Sequence, residues 1–117
     1  MYGMSYDEVM QWFARWDELA LAGEVEKMAD MALFPVNTVT DGSATSWDRE
    51  RFLTEMGAQL GGDVRMESVR TPHFINDDLA FVITDGTING MTVRYGDLLV
   101  KVGGEWKFQT MVQGGWA

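Results

Sequence analysis

Apolar residues recur with a helical period near the N-terminus and with an alternating period in the second half, so the chain reads as helices first and strands after. Val9, Trp12, Phe13, Trp16, Leu19 and Ala20 fall at i, i+3, i+4 and i+7 spacing, while Gln11, Arg15, Asp17 and Glu18 fall mainly off that stripe; this predicts a strongly amphipathic helix. Ser5-Tyr6-Asp7-Glu8 has the form of a capping box and marks its expected start. Gly23 is the expected C-cap, and residues 24–31, with Val25, Met28 and Ala32 on one face, predict a short second helix that ends at Pro35. The β-branched run Val36-Asn37-Thr38-Val39-Thr40, followed by Asp41-Gly42, predicts a short strand and a turn. Ser46 is placed to cap a third helix carrying Asp48 and Glu50 in its first turn and Trp47, Phe52, Leu53, Met56 and Leu60 as apolar positions, stopped by Gly61-Gly62.

From Val64 the pattern alternates, and turn signals at Asn76-Asp77-Asp78, Asn89-Gly90 and Gly103-Gly104 divide it into four further strands. The apolar phase slips between Met66 and Val69, which predicts a bulge, and Pro72 predicts a bend or an edge strand. The expected class is therefore α+β, with three helices packed on one face of a strongly curved, mostly antiparallel sheet. Such a cone can enclose a pocket.

The length of 117 residues fits one domain spanning 1–117, and 46% hydrophobic content is enough for one core. Eighteen acidic against nine basic residues give a net charge of -9, which argues against a nucleic-acid partner because phosphate backbones call for a basic footprint. The absence of cysteine excludes disulfides, thiolate metal ligands and a cysteine nucleophile. No signal-peptide pattern precedes Asp7 and no apolar run approaches membrane-spanning length, so the expectation is a soluble protein with no membrane partner and the cytoplasm as the default compartment. Five tryptophans, six phenylalanines and nine methionines suit a core or an adaptable apolar pocket.

The order of elements resembles the nuclear transport factor 2-like superfamily. The resemblance rests on Ala14-Arg15-Trp16 to Leu19, Gly23-Glu24-Val25-Glu26, Thr38-Val39-Thr40-Asp41, and Gly104-Glu105-Trp106-Lys107-Phe108-Gln109-Thr110-Met111. It implies a cone-shaped fold, while function within that superfamily ranges from ketosteroid isomerases and polyketide cyclases to dehydratases, hydrolases and binding modules without chemistry. By similarity to the ketosteroid isomerase branch, Asp41 falls where a general-base Asp is kept and Asp97 where a protonated Asp is kept. Trp16 replaces the hydrogen-bonding tyrosine, and Trp116 matches a pocket tryptophan. An indole N–H only donates and is a poorer stabiliser of a developing enolate than a phenol, which counts against steroid isomerisation itself.

The residues themselves support some of these roles and leave alternatives. Asp97 alternates with Val93, Tyr95 and Leu99, so on a cavity-facing side its pKa would rise; it could instead be an edge carboxylate paired with Arg94 or Lys101. Asp41 precedes Gly42 and reads equally as a turn residue. His73, the only histidine, could be a base or could simply cover the sheet, and alone it makes no zinc site. Tyr95 is a possible substitute donor, and Trp16 and Met56 could line the pocket or pack the core. The expectation is cofactor-independent, metal-independent acid/base chemistry by Asp97 and Asp41 on a small hydrophobic molecule, in a pocket that also includes Trp16, Tyr95, His73, Trp116 and Met56. A ligand-binding module without chemistry, and an interaction domain dimerising through its sheet, are the alternatives; a homodimer is the family expectation.

Overall fold

A computed structural model describes residues 3–59, 67–88 and 90–114. The long helix α1 (Gly3–Ala22) is followed by a single short turn of helix, α2 (Val25–Ala29), and then by strands β1 (Ala32–Thr40) and β2 (Ser43–Trp47). Helix α3 (Arg49–Gln59) precedes the long strands β3 (Glu67–Asn76), β4 (Leu79–Ile88), β5 (Met91–Val102) and β6 (Glu105–Gln113). The six strands form one mixed, curled sheet in the order β2-β1-β6-β5-β4-β3. β1 runs parallel to β6, and the other neighbours are antiparallel.

The stripe read on α1 packs as amphipathicity requires: Val9, Phe13 and Leu19 are buried, Trp12, Trp16 and Ala20 pack against them, and Gln11, Arg15 and Glu18 face outward. The expected capping box is corrected. α1 already includes Gly3, so Ser5 lies inside the helix and is buried, and Glu8 reaches away from the helix start to accept from Lys101 Nζ (3.1 Å) and Trp106 Nε1 (3.2 Å). The second helix is shorter than expected, because the chain becomes extended at Ala32, before Pro35. α3 is capped by Asp48, not by Ser46: the Asp48 carboxylate accepts from the Arg51 amide at 2.8 Å. Ser46 belongs instead to β2, a strand that the alternation did not announce, since Ser43, Ala44, Thr45 and Ser46 offer no apolar beat before Trp47.

The four long strands fall where alternation placed them. Pro72 sits on β3, an edge strand, where a residue without an N–H costs the ladder least. The expected slip involves Met66, which lies outside the described residues; register irregularities occur at Phe74/Asn76 and Leu98/Leu99. Val102 pairs with Glu105 across Gly103 and Gly104, both at positive φ (59° and 84°), the two-residue hairpin loop that suits strand twist and needs left-handed residues. Ile88 pairs with Met91 around the Asn-Gly signal, of which Asn89 is outside the described residues.

The helices cover one face of the sheet, α1 reaching β3 and α3 reaching β2 at its opposite edges. Between them lies an aromatic core. Trp16 stacks on Trp12 (5.3 Å) and meets Phe108 edge-on (5.0 Å), and Phe52 touches Phe34 and Phe108 at 5.7 Å each. Phe52, Phe108, Met28, Leu99 and Val82 are essentially without solvent exposure. No helix among the described residues is long and apolar enough to cross a membrane.

Candidate functional site

Strand pairing sets two rows side by side on the helix-covered face. Arg70, Thr84 and Tyr95 stand opposite one another on β3, β4 and β5; two residues along each strand, Pro72, Val82 and Asp97, continued by Met111 and Thr38, form the next row. Asp97 thus shares its face with Tyr95 and Leu99, and Leu99 is wholly buried. The two basic residues nearest to it in sequence, which could have made it an edge carboxylate, pair elsewhere: Arg94 with Asp85 at 2.8 Å and Lys101 with Glu8 at 3.1 Å. Among the described residues no hydrogen bond or ion pair is made to the Asp97 carboxyl group.

Burial penalises the charged form of that carboxyl and pushes its pKa up from 3.8 to about 7, against the opposing field of Arg70. Arg70 organises the neighbourhood. Its guanidinium grips Asp17 of α1 with two parallel bonds (Nη1 to Oδ2, 2.6 Å; Nη2 to Oδ1, 3.1 Å), donates from Nε to Thr84 Oγ1 (3.2 Å) and from Nη2 to Tyr95 Oη (3.2 Å). The Phe13 ring lies against it, 4.4 Å from ring centroid to Cζ. Burial opposes the guanidinium charge, but the Asp17 hydrogen bonds and the negative neighbours outweigh it, so the group is held above its ordinary pKa. Tyr95 is shifted up chiefly by burial, with Arg70 pulling the other way. It therefore stays a neutral phenol, and because its oxygen accepts from Arg70 its own proton remains to be donated.

The remaining expected site residues are scattered. Asp41 lies exposed in the β1–β2 turn; its Oδ2 would be 3.5 Å from a Cβ built on Gly114, the residue after the Gln113 that pairs with Tyr95. Trp16 and Met56 are part of the aromatic and aliphatic core. His73 alternates with Pro72 and Phe74, pairs with Phe81, and is exposed on the outer face, because one residue along a strand reverses the side that a side chain faces. Trp116 lies outside the described residues. No group of three or more His, Asp or Glu side chains among the described residues is placed to hold a metal ion.

Sequence reasoning passed over Arg70, Asp17 and Thr84. A signal existed for two of them: Asp17 is four residues beyond the buried Phe13, at the margin of the apolar stripe of α1, and Arg70 alternates with Phe74, which packs on the core. Two open cavities lined by described residues lie away from Asp97, one between α3 and the β1–β2 hairpin and one over the end of β3, β4 and β5.

No protein-family model matches the chain, and no curated protein sequence matches it. Solved structures do. A protein of unknown function with a cystatin-like fold from Nostoc punctiforme is similar at a TM-score of 0.77 and 16% identity, over 96% of this chain and 91% of its own. A nuclear transport factor 2-like protein of unknown function from Pseudomonas putida matches at 0.76 and 12% identity, over 97% and 88%. A candidate scytalone dehydratase from Novosphingobium aromaticivorans matches at 0.70 and 12% identity, over 93% and 82%. With helices on one face of a curled six-stranded sheet and near-complete superposition on these structures, the chain has the nuclear transport factor 2-like fold.

Proposed function

We propose that the protein binds a small, mainly hydrophobic molecule against the inner sheet face at Asp97 and moves a proton on it without a cofactor, in an isomerisation, dehydration, cyclisation or hydrolysis. One observation carries this reading: a buried carboxyl whose pKa is pushed up to about 7 stands two residues along β5, on the same face, from a neutral phenol backed by a buried guanidinium. A carboxyl near neutrality can both take and return a proton at physiological pH, which is the condition for efficient general acid/base work. Tyr95, polarised by Arg70, is the donor toward charge developing on a ligand oxygen, taking the part that the indole of Trp16 fills poorly. Asp41, exposed beside Gly114, is the second proton carrier in this scheme. The likeness to a candidate scytalone dehydratase supports chemistry of this class without naming the substrate.

The test is a thermal-shift screen with small hydrophobic carbonyl compounds, repeated on Asp97→Asn and Asp41→Asn. A ligand at about a hundredfold above its Kd stabilises the wild type by about 3 kcal/mol. Turnover of a stabilising compound that disappears in Asp97→Asn while binding persists supports the proton-transfer role; failure of every compound to raise the melting temperature overturns the reading.

A second reading, dimerisation through the sheet, is favoured by the outer face, where Val69 is 68% exposed and Phe81 lies half-buried across Gly96. Light scattering after gel filtration tests it: a dimer that Val69→Glu dissociates supports it, and a monomer at all concentrations refutes it.

A further inference from the structure

We propose that the groove between α3 and the β1–β2 hairpin is a separate binding site for a small, neutral polyhydroxylated molecule such as a monosaccharide or a cyclitol. The pairings Thr38 with Thr45, Thr40 with Ser43 and Val36 with Trp47 bring four hydroxyl side chains and one indole to the same side of the hairpin. On α3, Phe52 and Met56 form the stripe that enters the core; Arg51, Glu55 and Gln59, offset by one residue, form the adjacent stripe and face the hydroxyl row. Together these residues line about 250 Å³ of a half-open groove, below the range of drug-sized pockets, which suits a small occupant.

The chemistry of the lining selects its class. Hydroxyls and a carboxamide can donate and accept, the Thr38 hydroxyl being engaged as a donor to the Thr45 carbonyl (3.3 Å) and left to accept; a carboxylate accepts at two adjacent oxygens, and a guanidinium donates from two adjacent nitrogens, which matches pairs of neighbouring hydroxyl groups. Arg51 and Glu55 cancel in charge, so the lining itself carries no net charge. Arg51 makes no ion pair among the described residues; its guanidinium rests on the Trp47 ring, 5.8 Å from the centroid, which holds the fork in place without using up its donors. Trp47, 7% exposed, is the buried apolar floor beneath that guanidinium. Of these residues only Thr38 stands in the cross-strand row of Asp97, two strands away with Met111 between them.

The experiment is a 1H–15N NMR titration of the full chain with myo-inositol and with D-glucose into the tens of millimolar, with glycine and inorganic phosphate as charged comparisons. Saturable shifts at Ser43, Thr45, Arg51 and the Trp47 indole are expected, weakened about tenfold by Glu55→Ala through loss of a charged hydrogen-bond partner, and unchanged in Asp97→Asn. Arg51→Ala and Glu55→Gln provide further variants on the exposed side of α3. The proposal is overturned by absence of saturation with both polyols, by shifts centred on other residues, by equal affinity in the variants, or by tighter binding of glycine or phosphate.

Discussion

Replacing Asp97 by Asn keeps the size and shape of the side chain and removes its capacity to ionise. In the unfolded chain this carboxyl ionises at its ordinary value of 3.8; in the folded chain burial delays ionisation to about 7. Each pH unit of that difference is worth about 1.4 kcal/mol, so the folded state prefers the neutral form by about 4 kcal/mol. Between the two values the native state holds a proton that the unfolded state has released, and stability falls as pH rises. The loss begins near pH 4, grows to about pH 7 and is constant above it. The Asp97→Asn variant lacks this term, so its stability relative to wild type rises through that window by up to about 4 kcal/mol, or roughly 15 °C in melting temperature for a domain of this size. Glu8, held below its ordinary pKa by its bonds to Lys101 and Trp106, contributes a slope of opposite sign at lower pH, but it is common to both proteins and drops out of the difference. Urea denaturation of both proteins from pH 4 to pH 9 measures the gap. A gap that does not change with pH, or that widens as pH falls, refutes the argument that Asp97 is buried as an acid.

A Cβ at Gly96 would lie 2.5 Å from Phe81 Cζ, so Gly96→Ala forces the ring off its seat and costs about 1–3 kcal/mol; in a Phe81→Ala background the same change costs much less, as a double-mutant cycle by denaturation will show. Arg70→Met strips Tyr95 and Thr84 of a buried donor and leaves Asp17 without its cation; a loss of about 2–4 kcal/mol and a further upward displacement of the Asp97 titration, which the field of Arg70 opposes, are expected by denaturation and carboxyl NMR. Asp48→Ala removes the cap of α3 and costs about 1 kcal/mol in thermal unfolding, whereas Ser46→Ala, which loses only an exposed bond to Asn37, costs less than half of that.

Periods of 3.6 and 2 are local properties of a chain, and for that reason α1, the long strands and the shared face of Tyr95, Asp97 and Leu99 could all be read from residue order. β2 could not, because a polar hairpin arm carries no alternation and owes its place to the ladder with β1. Asp48 outcompeted Ser46 as a cap because the strand extends through Ser46 to Trp47 before α3 begins. His73 differed from Arg70 only in parity, and parity becomes a side of the sheet only when the pairing register is known.

Sequence by itself determined the class of fold and the presence of an acid on an apolar strand face. Tertiary structure alone decided what that acid meets. Arg70 and Asp17 are 53 residues apart and become partners because α1 crosses the edge strand β3 as the sheet curls around it. The two stripes of α3 likewise acquire different roles, one as core and one as the wall of a polar groove, only when the helix is laid beside the β1–β2 hairpin. Side-chain period fixes which residues point together, whereas packing of distant elements fixes the dielectric and the charges they point into, and those set the chemistry.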